Sequence, residues 1–443
     1  MCRRPVWTGI RSVVQTPSYH ARVNPTSAPG GKRQAAMPFI MLTVLIDMLA
    51  IGLIIPVLPH LVGSFGRSPS EQAYWYGVVA FAFGFSHFFA SPVLGALSDR
   101  YGRRPVLLLG FLGLAVSFFG TALSTTLWML IAVRMVAGGM QANQAVANAY
   151  VADITPAEER ARRFGLLGAM MGAGFIVGPV TGGLLGAIDL HLPFYFAGVL
   201  ALANLAYGYL VLPESLPPER RRTFNWRAAN PFLALRALAR VKGVGLLVAV
   251  VACSGLAQFM LYTIWVLYTT FKFGWGPLEN GWSLAVVGMI SFLVQGFLMG
   301  RLLQRFSPQR LALMGLVSSA LAYLSWGLAS ESWMMFAVIL LNLLGVTVTP
   351  AIHSIISGAV KATEQGQALG AVASLNSLMM VLAPILGAGL LGMVSELPKG
   401  DLRMGTPFYF CALLQGASLL LAWWHFRCHG GTHRPAPSGG TGP

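Results

Sequence analysis

Between residues 38 and 426 the chain is a succession of long apolar runs separated by short polar breaks. A helix of about 20 apolar residues, rising ~1.5 Å per residue, crosses the hydrocarbon core of a bilayer. The pattern predicts such helices at 38–62, 73–97, 105–123, 127–150, 164–187 and 193–213. A second set is predicted at 243–270, 278–300, 310–329, 332–353, 366–394 and 407–426. The fold class is therefore all-α integral membrane, with twelve transmembrane helices in two six-helix bundles, 37–213 and 243–426. A polar, basic loop at 214–242 joins them. Within it Pro231–Val241 is amphipathic and suited to lie flat in the interface. Residues 1–36 carry basic but no acidic side chains and lack an apolar signal core. They read as a disordered tail, or as residues ahead of a start at Met37. The Gly/Pro-rich stretch 427–443 reads as a second disordered tail.

The break at Gly95–Pro105 is densely charged. Asp99, Arg100, Arg103 and Arg104 fall within six positions, too many charges for hydrocarbon, so a tight turn must hold them between two spans. Gly102 permits the sharp backbone and Pro105 suits the first turn of the next helix. A related segment, Gly300–Phe306, recurs 205 positions later. The same offset carries Glu159 onto Glu364, Gly165 onto Gly370, Pro179 onto Pro384 and Gly182 onto Gly387. One offset serving three separate places indicates two pseudo-symmetric copies. The second copy has Gln304 where the first has Asp99, so the two charged turns are not equivalent.

Composition narrows the reading. Of 443 residues, 56% are hydrophobic and only 10% charged, and the mean hydropathy is +0.67, against ~25% charged in soluble domains. The net charge of +16 is distributed as a membrane protein's rather than a nucleic-acid binder's. With both termini cytoplasmic, Arg67, Lys272, Lys399 and Arg403 fall outside and Arg134 lies within a span. Every other Lys and Arg then falls on the inner side, as the positive-inside rule requires. The four cysteines are scattered and imply no disulfide framework. His425, Cys428, His429 and His433 cluster after the last run without an acid to complete a metal centre. No phosphate-binding loop, nucleophile elbow or metalloprotease helix is present, so neither ATP drive, a cofactor nor an enzyme is implied.

Two charges fall well inside the spans. Asp47 lies about ten residues into the first run, where a carboxylate costs ~2.5–3.5 kcal/mol to insert; it is the leading candidate to carry protons. Arg134 in the fourth run is its candidate partner, either as half of a titrating couple or as a permanent counter-ion without proton traffic. His87, and with less reason His353, could titrate as well or simply pack. Gln141, Asn148, Gln258 and Asn376 are candidates to line a substrate cavity, alongside Asn143, Gln144 and Asn342. Such amides otherwise tie helices together at ~0.6 kcal/mol each. Gly174, Gly178, Pro179, Gly182 and Gly183 put small residues four apart around a proline, a seam that lets helices approach closely.

The turn Gly95, Asp99, Arg100, Gly102, Arg103 and Arg104 resembles the signature loop of the major facilitator superfamily. G-x-x-x-G-P-x-x-G-G at 174–183 resembles the antiporter motif of its drug-exporting members. Arg134 with Gly138 and Gly139 is similar to their helix-4 motif, and Asp153 to the acid that pairs with the loop arginines. Leu45–Pro59, Leu97–Leu109 and Trp265–Trp275 narrow the resemblance to the tetracycline-exporter branch, over about residues 38–425. That branch carries acids in helices 3 and 9 and a histidine in helix 8; here Ser117, Ser319 and Ser291 stand there, so a metal-bound tetracycline is not implied.

The resemblance implies a monomeric secondary transporter of a bacterial inner membrane. It would export a small amphipathic drug against inward proton flow, with the two bundles rocking about a central site. Its partners would be the substrate, protons and the lipid bilayer, with no nucleic acid. The loop residues and Asp153 would gate the conformational change. The alternative is a transporter of the same fold that moves a metabolite with different coupling.

Overall fold

The computed structural model describes residues 30–66, 68–141, 143–155, 159–224, 230–233, 245–359 and 365–429. The expected tails therefore lie outside the described residues, except for 30–36 and 427–429, which continue the first and last helices. Glu364, His433 and the amphipathic stretch beyond Leu233 also lie outside, as do the side chains of Asn143, Gln144 and His429.

Helices occupy all twelve predicted positions. Ten are long and apolar enough to cross a bilayer: Met37–Gly63, Pro69–Tyr101, Arg103–Ala122, Gly165–Ile188, Leu192–Val211, Gly245–Phe273, Pro277–Arg305, Pro308–Leu328, Leu369–Val394 and Leu402–Cys428. The tenth predicted span is a bent pair, Ser332–Leu341 and Gly345–Gly358, with 49° between its pieces. The fourth is divided into Leu127–Met140 and Asn143–Ile154, each too short to cross alone.

Local signals set the helix ends. The Ser68 hydroxyl accepts from the Glu71 amide at 3.2 Å ahead of Pro69, and Thr126 and Ser307 cap the fourth and ninth spans in the same way. The Glu279 carboxylate accepts from the Gly276 amide at 2.9 Å, where an acid also complements the helix dipole. Gly102, with φ of 109°, turns the chain between the second and third spans in a conformation that side chains disfavour.

The repeat seen in the sequence is also a repeat in packing. In the first half, span five lies along span one; in the second, span eleven lies along span seven. A Cβ on Gly182 would strike the Leu53 backbone, while one on Gly387 would meet Ile264 at 3.0 Å. The halves then join crosswise, span five on span eight and span two on span eleven.

That joint is closed at one end only. A Cβ on Gly183 would lie 2.6 Å from the Pro277 carbonyl, one on Gly77 2.8 Å from Ala388, and one on Gly281 would strike the Pro179 carbonyl. His60 fastens the same end, its Nε2 lying 3.3 Å from the Trp275 carbonyl oxygen and 3.2 Å from the Thr270 hydroxyl. At the end bearing the charged turn, a Cβ on Gly95, Gly165, Gly168, Gly300 or Gly370 would meet nothing within 4 Å. Among the described residues, the halves touch at one end and these glycines meet no partner at the other.

Candidate functional site

Between the halves lies a cavity of about 750 Å³, within the range of drug-sized sites. Every span except the sixth and twelfth contributes to its wall. The lining is largely aromatic and aliphatic, with Phe83, Phe118, Phe175, Trp265, Tyr323 and Trp326 prominent. Among the described residues its polar side chains include His87, Gln141, Gln258, Ser319 and Asn342, and its formal charge comes from Arg134. Two amides sit where the wall helices break: Gln141 ends Leu127–Met140 and Asn342 ends Ser332–Leu341. Discontinuous helices at a central site expose backbone groups that a continuous helix would use up.

Arg134 is 3% exposed. It donates to the Thr121 hydroxyl at 2.8 Å, while its Nε finds no hydrogen-bond partner. Thr121 is fixed in turn by its bond to the Ser117 carbonyl, 2.8 Å away. Asp47 sits elsewhere. Half-buried on the first span, it accepts from the Asn204 amide at 3.2 Å, and the same amide donates to the Thr43 carbonyl at 3.3 Å. Asp47 and Arg134, expected as partners, form no ion pair in this conformation. The first span turns Asp47 toward span six, whereas Arg134 faces the cavity.

The other expected cavity residues divide. Gln141 and Gln258 line it; Asn148 is exposed, and Asn376 stands beside Gly255 on span seven. His87 lines it and stacks on Phe83, with ring centroids 6.3 Å apart. His353 does not line it. Ser319, at the position of the helix-9 acid, lies on the cavity wall, while Ser117 is buried and donates to the Leu114 carbonyl.

The charged turn is a network within the first half. Arg103 pairs with Asp99 at 2.6 Å and with Asp153 at 3.2 Å, and also donates to the Ser98 hydroxyl. Arg104 donates to the Tyr209 carbonyl at 2.7 Å, and Arg100 lies over the Tyr101 ring. Glu214 was not anticipated: its carboxylate accepts from the Arg103 amide at 2.8 Å and from the Arg104 amide at 3.3 Å. The first turn of the third span thus begins on a carboxylate from the exit of the adjoining sixth span. An acid directly after the sixth span, beside Pro213, was the available signal. These bonds tie spans two, three, four and six together. Gly174 and Gly178 meet the backbone around Leu45 and Leu49, and a Cβ on Gly52 would lie 2.8 Å from Pro179 Cδ. Gly183 faces span eight instead, so the seam serves two interfaces.

The sequence profile described as Major Facilitator Superfamily matches residues 40–298 and, a second time, 247–442. The chain belongs to that superfamily. Within it the chain is similar to tetracycline resistance proteins. It is 39% identical to the class C protein of Escherichia coli over 80% of this chain and 89% of that protein. It is 32% identical to the class B protein of Escherichia coli over 86% and 95%. Multidrug resistance protein 2 of Bacillus subtilis (strain 168) is 29% identical over 87% and 94%.

Among solved structures of this superfamily's fold, the human organic anion transporter MFSD10 (TETRAN) superposes with a TM-score of 0.67 at 23% identity. The match covers 89% of this chain and all of that one. A bacterial homologue of the lysosomal transporter Spinster, inward-facing and unoccupied, superposes with a TM-score of 0.70 at 16% identity. The match covers 92% of this chain and all of that one. At these identities the likeness establishes the fold, a major facilitator fold of two six-helix halves, in an integral membrane protein.

Proposed function

We propose that this protein is a secondary transporter of a bacterial inner membrane that exports a small amphipathic drug in exchange for protons. The observation that carries this reading is the 750 Å³ cavity between two repeated halves, closed by glycine contacts at one end and parted at the other. A wall with many aromatic and few polar groups suits a drug-sized amphipathic guest. The similarity to tetracycline and multidrug resistance proteins supports export of such a compound. The positive-inside distribution supports placing the parted end and both termini in the cytoplasm, which makes this the state that loads substrate. A monomer suffices, since one chain builds the whole cavity.

Asp47 is the proton carrier in this reading. Its hold on Asn204 links protonation of the first span to span six. The first span also packs along span five, which forms half of one seam between the halves. Protonation from outside loosens that hold, and release inside restores it. His87 and Arg134 face the cavity, where arriving substrate meets them. One charge moved across 100 mV supplies ~2.3 kcal/mol, enough for appreciable accumulation. The test is uptake of a panel of chemically diverse amphipathic antibiotics, each assayed alone, into inverted vesicles energised by respiration. Uptake should collapse on adding a protonophore, and Asp47→Asn should abolish coupled uptake in protein that still inserts. Uptake by Asp47→Asn that keeps its pH dependence would move the proton pathway to another residue. Uptake indifferent to the protonophore would favour the alternative, a transporter of the same fold with different coupling.

A further inference from the structure

We infer that the central cavity recognises the anionic form of planar aromatic compounds, with the Arg134 guanidinium as its anion-binding group, and discriminates against lipophilic cations. This names the substrate class of the cavity described above and rests on that cavity being the transport site.

The cavity's charge is one-sided. Arg134 contributes a guanidinium, and among the described residues lining it no carboxylate offsets that charge. Asp47, on the first span, is not among the residues that line the cavity, and its carboxylate is engaged by Asn204 of the sixth span. Arg134 is also incompletely satisfied. It lies 97% out of contact with solvent, one arm on Thr121, yet its Nε has no partner. A buried donor on a charged group left unpaired costs more than an ordinary lost hydrogen bond. A carboxylate, enolate or phenolate entering the cavity would supply both the missing acceptor and the counter-charge. The planar fork suits such oxygens in a way that a point charge does not.

The rest of the wall fixes the shape. Phe83, Phe118, Trp265 and Trp326 offer flat apolar faces, so the ring system of a guest is sheltered from water. Gln141, on the same helix as Arg134, can both donate and accept, which suits an acidic compound with a neighbouring neutral polar group. A permanent cation in the same space would face the guanidinium with no carboxylate to receive it. Aromatic faces alone would favour a cation, so the sign of the preference decides between Arg134 and the rings.

The test uses purified full-length protein and three planar probes of similar size: 1-pyrenecarboxylate, the uncharged 1-pyrenecarboxamide, and ethidium. Binding is read by quenching of tryptophan emission, for which Trp265 and Trp326 are placed in the wall. The carboxylate should bind about ten- to hundredfold tighter than the carboxamide, the range expected for charge-assisted hydrogen bonds. Ethidium should bind weakest. Arg134→Gln should erase the advantage of the carboxylate over the carboxamide, while Arg134→Lys should restore part of it. Equal affinities for carboxylate and carboxamide, or tighter binding of ethidium, would overturn the inference. The three-probe comparison on the unaltered protein decides the question even if the variants fail to fold. Binding needs no proton gradient, so a failure of proton-coupled export leaves this result readable, and the reverse also holds.

Discussion

The two copies of the charged turn began from one pattern and have reached different structures. In the first half, Arg103 joins Asp99 to Asp153, and Glu214 receives the amides that open the third span. In the second half, among the described residues, Arg301 donates to the Phe297 carbonyl of its own helix, and Gln304 is exposed. The helix carrying the second turn also contains a π-helical segment, Val294–Leu298, where Pro92 occupies the corresponding place in the first half. Such a segment inserts a residue into the helical ladder and is common at functional sites. One bundle is braced across four spans at this end, while the other has no such brace among the described residues. Duplication preserved the packing and discarded half of the electrostatics. A rigid half and a more compliant half are a workable division when the two must move against each other.

Three measurements bear on that contrast. The largest effect is expected from Arg103→Ala, which strips a mostly buried guanidinium from two carboxylates and a hydroxyl. Hydrogen bonds to charged groups contribute ~1.5–3 kcal/mol, so thermal unfolding in detergent should shift down by several degrees. Pro308 stands where the first copy has Arg103, so the arginine to test in the second turn is Arg301, and Arg301→Ala should cost under ~0.5 kcal/mol; equal losses in the two would erase the asymmetry. Gly102→Ala comes next. At φ of 109° a side chain costs ~1–2 kcal/mol, and its Cβ would also displace the Glu214 carboxylate. The same unfolding assay should show an intermediate loss, and Glu214→Gln combined with Gly102→Ala should lose less than the sum of the two. Least is expected from Gln304→Asp, which restores the missing acid at an exposed site. An ion pair there contributes ~0.2–1 kcal/mol. It should appear as a salt-sensitive gain in stability that vanishes at high ionic strength.

Much of this architecture was legible in the chain. The positions of the twelve spans follow from apolar length alone, because hydrocarbon sets that length. The interruption at 95–105 follows from charge density, and the glycines of span five from their spacing. What the sequence conceals is rotation. The sixth span, Leu192–Val211, is apolar nearly throughout, so no stripe marks which side meets the first span, and Asn204 is one amide in that run. Its bond to Asp47 depends on how two helices turn about their axes. For the same reason Arg134 and Asp47, each conspicuous alone, invited a pairing that they do not make here, Asp47 being held by Asn204 and Arg134 by Thr121. His60 was missed because its partners, Thr270 and the Trp275 carbonyl, lie more than 200 residues away and meet it only when the halves close. Glu214 was obscured differently: an acid at a helix exit looks like ordinary solvated surface until the third span is seen to begin on it.

The glycine contacts at the closed end bear on how it opens. Where Gly281 abuts the Pro179 carbonyl and Gly183 abuts the Pro277 carbonyl, main chain rests on main chain. A side chain could swivel to let water or a small ion leak past, but a peptide unit held in a helix has no such freedom. This mouth is therefore either shut or parted by movement of whole helices, with little room for a half-open leak. For a device that must never connect both sides of a membrane at once, close-packed backbone is a seal that yields only when whole helices move.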